Sequence, residues 1–234
     1  MSDGSTPSLL VITPAYGGSD PTLLQQSCTA VGIDLHMYGV NQPWPGFTGR
    51  VRDAITVMKS RAEDVVLFTD ASDTFIVDGE QPILAKFAEI HCQFLHSAEK
   101  ACWPDSSLAA GYPNNTSSPW KYINGGGWIG RRQFAIDYLQ YVLSYSAAPP
   151  RDDDQLIFNL TWVANRPAGV GIDSNCRIFQ TMSQHVDGEI EWDGLRNTVT
   201  GSCPPVWHFN GRTPGREAAY AAAVESERIT RVRP

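Results

Sequence analysis

A chain of 234 residues, 42% hydrophobic and 18% charged, is long enough to bury a sizeable core and too apolar to stay disordered. Its formal net charge of -7 excludes the broad basic surface on which sequence-independent nucleic-acid binding rests. An anionic small ligand stays open, because a metal ion and one or two cations can neutralise phosphates locally.

Leu9 to Thr13 (LLVIT) is a continuous apolar run closed by Pro14, the pattern of a strand buried on both faces of a parallel sheet. Val51, Ile55, Met58 and Ala62 recur at helical spacing with Thr48 placed to cap them, and Val65 to Thr69 (VVLFT) reads as a second buried strand. Ile83, Phe87 and Ile90 mark the next helix, followed by a strand over Cys92 to Ser97. From Glu99 to Trp128 the prolines and the run Asn124-Gly125-Gly126-Gly127 predict functional loops. Helical stripes follow through Phe134, Tyr138, Val142 and Tyr145, and through Leu156, Leu160 and Val163 after the acids Asp152-Asp153-Asp154. Glu217 to Val224 reads as a terminal helix. Alternating elements of this kind predict one α/β domain over residues 1–234.

The five cysteines are odd in number and lack metal-ligand spacing, so free thiols are expected. The N-terminus is polar and the first apolar run is too short for a signal or membrane segment, so the chain is expected to be cytoplasmic. The glycosylation tripeptides at Asn114, Asn115 and Asn159 are incidental on that reading.

The segment Val65 to Asp73 (VVLFTDASD) runs a buried strand directly into two carboxylates, Asp70 and Asp73. Open α/β sheets bind ligands at the carboxyl ends of their strands, and two carboxylates on one tight turn suit a hard divalent cation that bridges a diphosphate. A solvated acidic turn explains the segment equally well when it is taken alone. A phosphoaspartyl enzyme of the haloacid dehalogenase type needs its second acid two positions after the first, and Asp73 comes one residue late.

With these segments in view, the sequence resembles the glycosyltransferase domain of the multifunctional procollagen lysyl hydroxylases and their stand-alone relatives. The likeness spans about Leu9 to Thr213 (core 9–214, with a helical tail over 215–234) and takes in LLVIT, FTDASD, SAEKACWPD, YINGGGWIG, DDDQL, RIFQ and HFNG in one order and spacing. It implies a GT-A-like, Rossmann-like fold with a mixed, mostly parallel central sheet, and an enzyme that moves glucose or galactose from a UDP-sugar donor to a hydroxyl-bearing acceptor, a collagen-like hydroxylysine or its galactosyl derivative or another glycan. Mn(II) is implied as cofactor, held by Asp70, Asp73 and His208. The alternative on the same fold is a catalytically reduced nucleotide-sugar-binding protein or a UDP-sugar hydrolase. No iron- and 2-oxoglutarate-dependent hydroxylation is expected of the sequence.

The same likeness assigns Thr13, Trp44 and Arg50 to the nucleotide, with Trp44 stacking on uracil and Arg50, a lysine in the animal enzymes, facing the diphosphate. The loop from Trp44 to Arg50 is shorter than theirs. Glu99, Trp103, Asn124, Asn210 and Gly211 are implied around the donor and acceptor, and Gly125 and Gly126 let the backbone approach the sugar. Asp153 and Asp154 either hold sugar hydroxyls, with one as a base, or cap the helix that follows. Phe209 departs from the family's small residue and is expected to narrow the acceptor side.

Overall fold

The computed structural model describes residues 6–114, 118–145 and 152–226. In chain order they form β1 (Leu9–Pro14), α1 (Thr22–Ala30), β2 (Leu35–Tyr38), α2 (Phe47–Lys59), β3 (Val65–Thr69), β4 (Thr74–Ile76), α3 (Glu80–Ala88) and β5 (Phe94–Glu99). A 3-10 helix (Ser106–Gly111), β6 (Tyr122–Arg131), α4 (Arg132–Tyr145), α5 (Asp154–Asn165), β7 (Val170–Ile172) and β8 (Phe179–Thr181) follow. Two short strands, β9 (Ile190–Glu191) and β10 (Arg196–Asn197), then lead to β11 (Val206–His208) and α6 (Arg216–Glu225).

The central sheet has the order β2-β1-β3-β6-β5-β7. Parallel pairing joins β1 to β2 and β3, and β5 to β7, while β6 runs antiparallel between β3 and β5. The mixed, mostly parallel sheet expected from the sequence is therefore present. Side chains alternate across it, which is why its strands read as unbroken apolar runs. Val11, Val65 and Leu67 pack on one face with Leu24, Cys28, Ile83 and Phe87 of α1 and α3. Leu10, Ile12, Val66 and Phe68 pack on the other with Val51, Ile55, Met58 and Leu139 of α2 and α4.

Several expectations need correction. Thr48 does not cap α2. The helix begins at Phe47, and the carboxylate of Asp152 accepts from the N–H groups of Phe47 (2.9 Å) and Thr48 (2.8 Å). Gly46, at φ 85°, precedes the helix because a Cβ there would sit 2.0 Å from that carboxylate. Ala62 and Ile90 lie beyond the ends of α2 and α3, and β5 starts two residues later than expected and reaches Glu99. The glycine run is no loop but part of β6, and Gln155, His208, Asp70 and Phe179 fill the space that its side chains would need. The terminal helix is present as α6, and the rest of the predicted tail, like Asn115, lies outside the described residues. Asn159 is fully buried within α5, so its tripeptide is closed to modification in the folded state. The cysteines are free, and among the described residues no helix is long and apolar enough to cross a membrane.

A buried histidine gives the fold a measurable acid sensitivity. His96 on β5 has no solvent exposure; its Nε2 lies 2.9 Å from the Tyr138 hydroxyl, and its Nδ1 has no partner. Burial drives its pKa from the ordinary 6.5 down to about 3. Between those values the unfolded chain binds the extra proton, so the stability present above pH 6.5 falls as the pH drops toward 3, by roughly 1.4 kcal/mol per pH unit at most. His96→Gln is therefore expected to flatten the dependence of the urea midpoint on pH between 6.5 and 4. Parallel slopes in wild type and variant would count against this.

Candidate metal centre and active site

Asp70 follows directly on β3, and three bonds fix the turn that it opens. Its N–H donates to the Gly126 carbonyl (3.0 Å), its own carbonyl accepts from the Thr74 hydroxyl, and the Asp73 carbonyl accepts from the Phe209 N–H (2.8 Å). A second sheet, β4-β11-β8, begins at the turn's far end and pairs His208 with Thr74. This pairing carries an imidazole from the end of the chain to the carboxylates. His208 Nε2 lies 3.3 Å from Asp73 Oδ1 and 3.7 Å from Asp70 Oδ2. One ligand atom from each of the three residues lies within 4.8 Å of the others.

The donor set fits a divalent cation. His208 is 3% exposed, yet its Nδ1 is buried without a partner and its Nε2 meets only the carboxylates of Asp73 and Asp70, and a buried polar atom without a partner is rare in native proteins. Two carboxylate oxygens and one imidazole suit Mn(II) and leave coordination positions for phosphate oxygens. Burial opposes charge on His208, but Asp73, Asp70 and Glu99 outweigh it and raise its pKa. Burial likewise opposes the Asp73 carboxylate, and His208 still brings its pKa below the ordinary value. Gly126 on β6 faces this cluster: a Cβ there would lie 2.2 Å from His208 Cε1 and 2.6 Å from Asp70 Oδ2.

The three residues open on a cavity of about 500 Å³, lined also by Phe47, Arg50, Glu99, Trp103, Asp153 and Asp154. Arg50, in the first turn of α2, lies between two carboxylates. Its Nη1 bonds Asp70 Oδ1 (2.6 Å), while Nε and Nη2 both reach Asp154 Oδ2 (2.7 Å each). The consecutive acids divide their tasks by geometry. Asp152 caps α2, Asp153 caps α5 by accepting from the Leu156 N–H (2.9 Å), and Asp154 turns inward to Arg50. Burial lifts Asp154 to about 6, with Arg50 pulling the other way.

On the opposite wall Glu99 ends β5 and is 4% exposed. It accepts from Gln155 Nε2 and from Asn210 Nδ2 (2.8 Å), and burial raises its pKa. Asn124 accepts from the Ser97 hydroxyl and the Gly126 N–H, which folds the backbone around the glycines. Asn210 and Gly211 also line the cavity, and Trp103 projects at its mouth with 64% of its surface exposed. Gly125 lies against Gln155, whose Oε1 accepts its N–H (2.9 Å).

Two predicted nucleotide residues lie outside the cavity lining. Thr13 is fully buried behind the turn, its hydroxyl donating to the Thr69 carbonyl (2.7 Å). Trp44 is half exposed and meets Phe47 edge-on with ring centroids 5.2 Å apart. Phe209 points away from the acceptor side into the core, beside Phe75, so it does not narrow the site. Sequence reasoning passed over Phe47, Ser183, Gln184 and Gln155. Gln155 carried a signal, since it sits within the DDDQL motif one residue after Asp154.

Comparison with known proteins agrees with this architecture. A glycosyltransferase involved in glycosylation of the major capsid of PBCV-1 superposes with a TM-score of 0.57 at 10% identity, over 93% of this chain and 100% of that one, a likeness of fold. Procollagen-lysine,2-oxoglutarate 5-dioxygenase of Drosophila melanogaster is 30% identical over 80% of the chain and 28% of its own length. The multifunctional procollagen lysine hydroxylase and glycosyltransferase of Caenorhabditis elegans is 26% identical over 88% of the chain and 30% of its own length. The chain thus spans less than a third of these relatives. The model of the PLOD GT domain matches residues 5–216, and the chain belongs to that glycosyltransferase-domain family, with a GT-A-like fold.

Proposed function

We propose that this chain transfers glucose or galactose from a UDP-sugar to a hydroxyl acceptor with the help of Mn(II). The observation that carries the reading is the meeting of Asp70, Asp73 and His208, whose buried Nδ1 lacks a partner, in a cavity also lined by Asp154 and Glu99. When bound there, the cation would neutralise charge on the diphosphate as it leaves the sugar. Asp70, Asp73 and His208 would hold it.

The chain's own residues would do the rest. Phe47, in the cavity lining beside Arg50, and the half-exposed Trp44 packed edge-on against it would offer aromatic surface for uracil. Asn210 and Gly211, which line the cavity just after His208 in the chain, would face the diphosphate. Asp154 and Glu99 accept from sugar hydroxyls, and either can receive the acceptor's proton, being carboxylates whose pKa burial raises, that of Asp154 to about 6. Trp103 at the mouth provides a platform for a pyranose or peptide acceptor. A hydroxylysine-bearing collagen-like peptide, or its galactosyl form, is the first acceptor to try on the family's precedent.

A donor panel tests the reading. With Mn(II) present, nucleotide release should be fastest from UDP-glucose or UDP-galactose and at least ~10-fold slower from GDP- and ADP-sugars, on the scale of 1.4 kcal/mol per decade. Equal turnover across the bases would remove the uridine site. Release that does not increase with any acceptor would favour a UDP-sugar hydrolase.

A further inference from the structure

We propose that Arg50 is a positioning residue that ties Asp154 to the cation ligand Asp70, so that the charge on Asp154 sets cation affinity although it is no ligand. The proposal rests on the metal site of the preceding section.

The guanidinium joins the two carboxylates by different edges. Nη1 takes Asp70 Oδ1, and this leaves Oδ2 as the oxygen turned toward His208 Nε2, 3.7 Å away. Nε and Nη2 converge on one oxygen of Asp154. A planar fork that bonds two acids on two sides holds both in a fixed orientation, which a point-like ammonium does not do.

Nothing around Arg50 invites it to swing away. Its side chain is 8% exposed, and its guanidinium carbon lies 5.3 Å and 5.5 Å from the ring centres of Phe47 and Phe68. The Tyr38 hydroxyl donates to its backbone carbonyl (3.1 Å), and the Asp152 carboxylate anchors the start of α2. Asp154 is equally fixed as the first residue of α5.

The electrostatic consequence has a definite sign. A guanidinium shared between two carboxylates opposes a cation at Asp70 only weakly; bound to Asp70 alone, it opposes the cation with its full charge. Loss of charge at Asp154 must therefore weaken cation binding, although Asp154 is no ligand. By reciprocity, a hydroxyl ligand that engages Asp154 and a cation on Asp70 change each other's affinity by the same factor.

The test is a double-mutant cycle on Mn(II) affinity without nucleotide, read from the spin-resonance signal of free Mn(II) as the ion is titrated into wild type, Asp154→Asn, Arg50→Gln and the double variant. Asp154→Asn should weaken binding by ~10-fold in the wild-type background and by less than about 2-fold in the Arg50→Gln background. An equal factor in both backgrounds, or none in either, overturns the relay. A wild type that binds no Mn(II) overturns the metal site and the relay together, whereas a wild type that binds with an uncoupled cycle overturns the relay alone. If Arg50→Gln does not fold by circular dichroism, Arg50→Met takes its place in the cycle with the same expectation, since it fills similar space and removes both the charge and the two-edged grip.

Discussion

Gly126→Ala is expected to abolish Mn(II)-dependent UDP binding while leaving the protein folded. The added methyl would stand 2.2 Å from His208 Cε1 and 2.6 Å from Asp70 Oδ2, well inside contact distance. Neither neighbour can yield without cost to the site. His208 is held by β11, which pairs with β4 on one side and β8 on the other, and Asp70 is held by Arg50 and by its N–H bond to Gly126 itself. Overpacking of this kind costs about 1–3 kcal/mol of stability, which a domain of this size should survive. The displaced imidazole and carboxylate should lower metal-dependent UDP affinity by ~100-fold or more, the scale of losing a metal ligand's orientation. Gly17→Ala is the control, because its Cβ would meet nothing nearer than 3.6 Å. Near-normal UDP affinity in Gly126→Ala, measured by calorimetry with Mn(II), would mean that the cation does not sit between Asp70 and His208.

The second large effect is expected from Asp154→Asn at saturating Mn(II). The change keeps volume and an acceptor oxygen for Arg50, but removes a negative charge that is 4% exposed in the cavity wall. If that carboxylate binds a donor hydroxyl or takes a proton during transfer, turnover should fall ~100-fold, as for one acid-base or electrostatic group. Saturation with Mn(II) separates this loss from any weakening of cation affinity through Arg50. The measurement is kcat for UDP release. Turnover within a few-fold of wild type would leave Asp154 with the pairing of Arg50 as its whole task.

Much of this was legible in the sequence because burial leaves a plain mark. β3 is buried along its length and ends where VVLFT ends, so the position of Asp70 at a strand's carboxyl end followed from pattern alone. Elements with weaker marks were missed. α1 has no side-chain cap and no acid in its first turn, and β2 is an edge strand whose first three residues are only half buried. β4, β8 and β11 have three residues each, too few for any periodicity, although they alone bring His208 to the turn. The glycine run misled for a physical reason. Gly126 and Gly127 lack side chains because His208, Asp70 and Phe179 occupy that space, and a strand emptied by its neighbours looks like a loop when read alone.

Arg50 and the acidic run show the same limit at the level of chemistry. The sequence places a cation before the DASD turn and three acids after a helix, but only the fold sets Arg50 between Asp70 and Asp154 and assigns Asp152 and Asp153 to helix ends. Pairings across 104 residues of chain leave no local trace.

The most direct measurement is the calorimetric titration of UDP into the protein with Mn(II), with EDTA, and with Mn(II) in the Asp73→Asn variant, which loses the carboxylate that lies 3.3 Å from His208 Nε2. UDP should bind the wild type with Mn(II) and lose that binding both in EDTA and in the variant. Equally tight UDP binding under all three conditions would contradict a metal centre built from Asp70, Asp73 and His208.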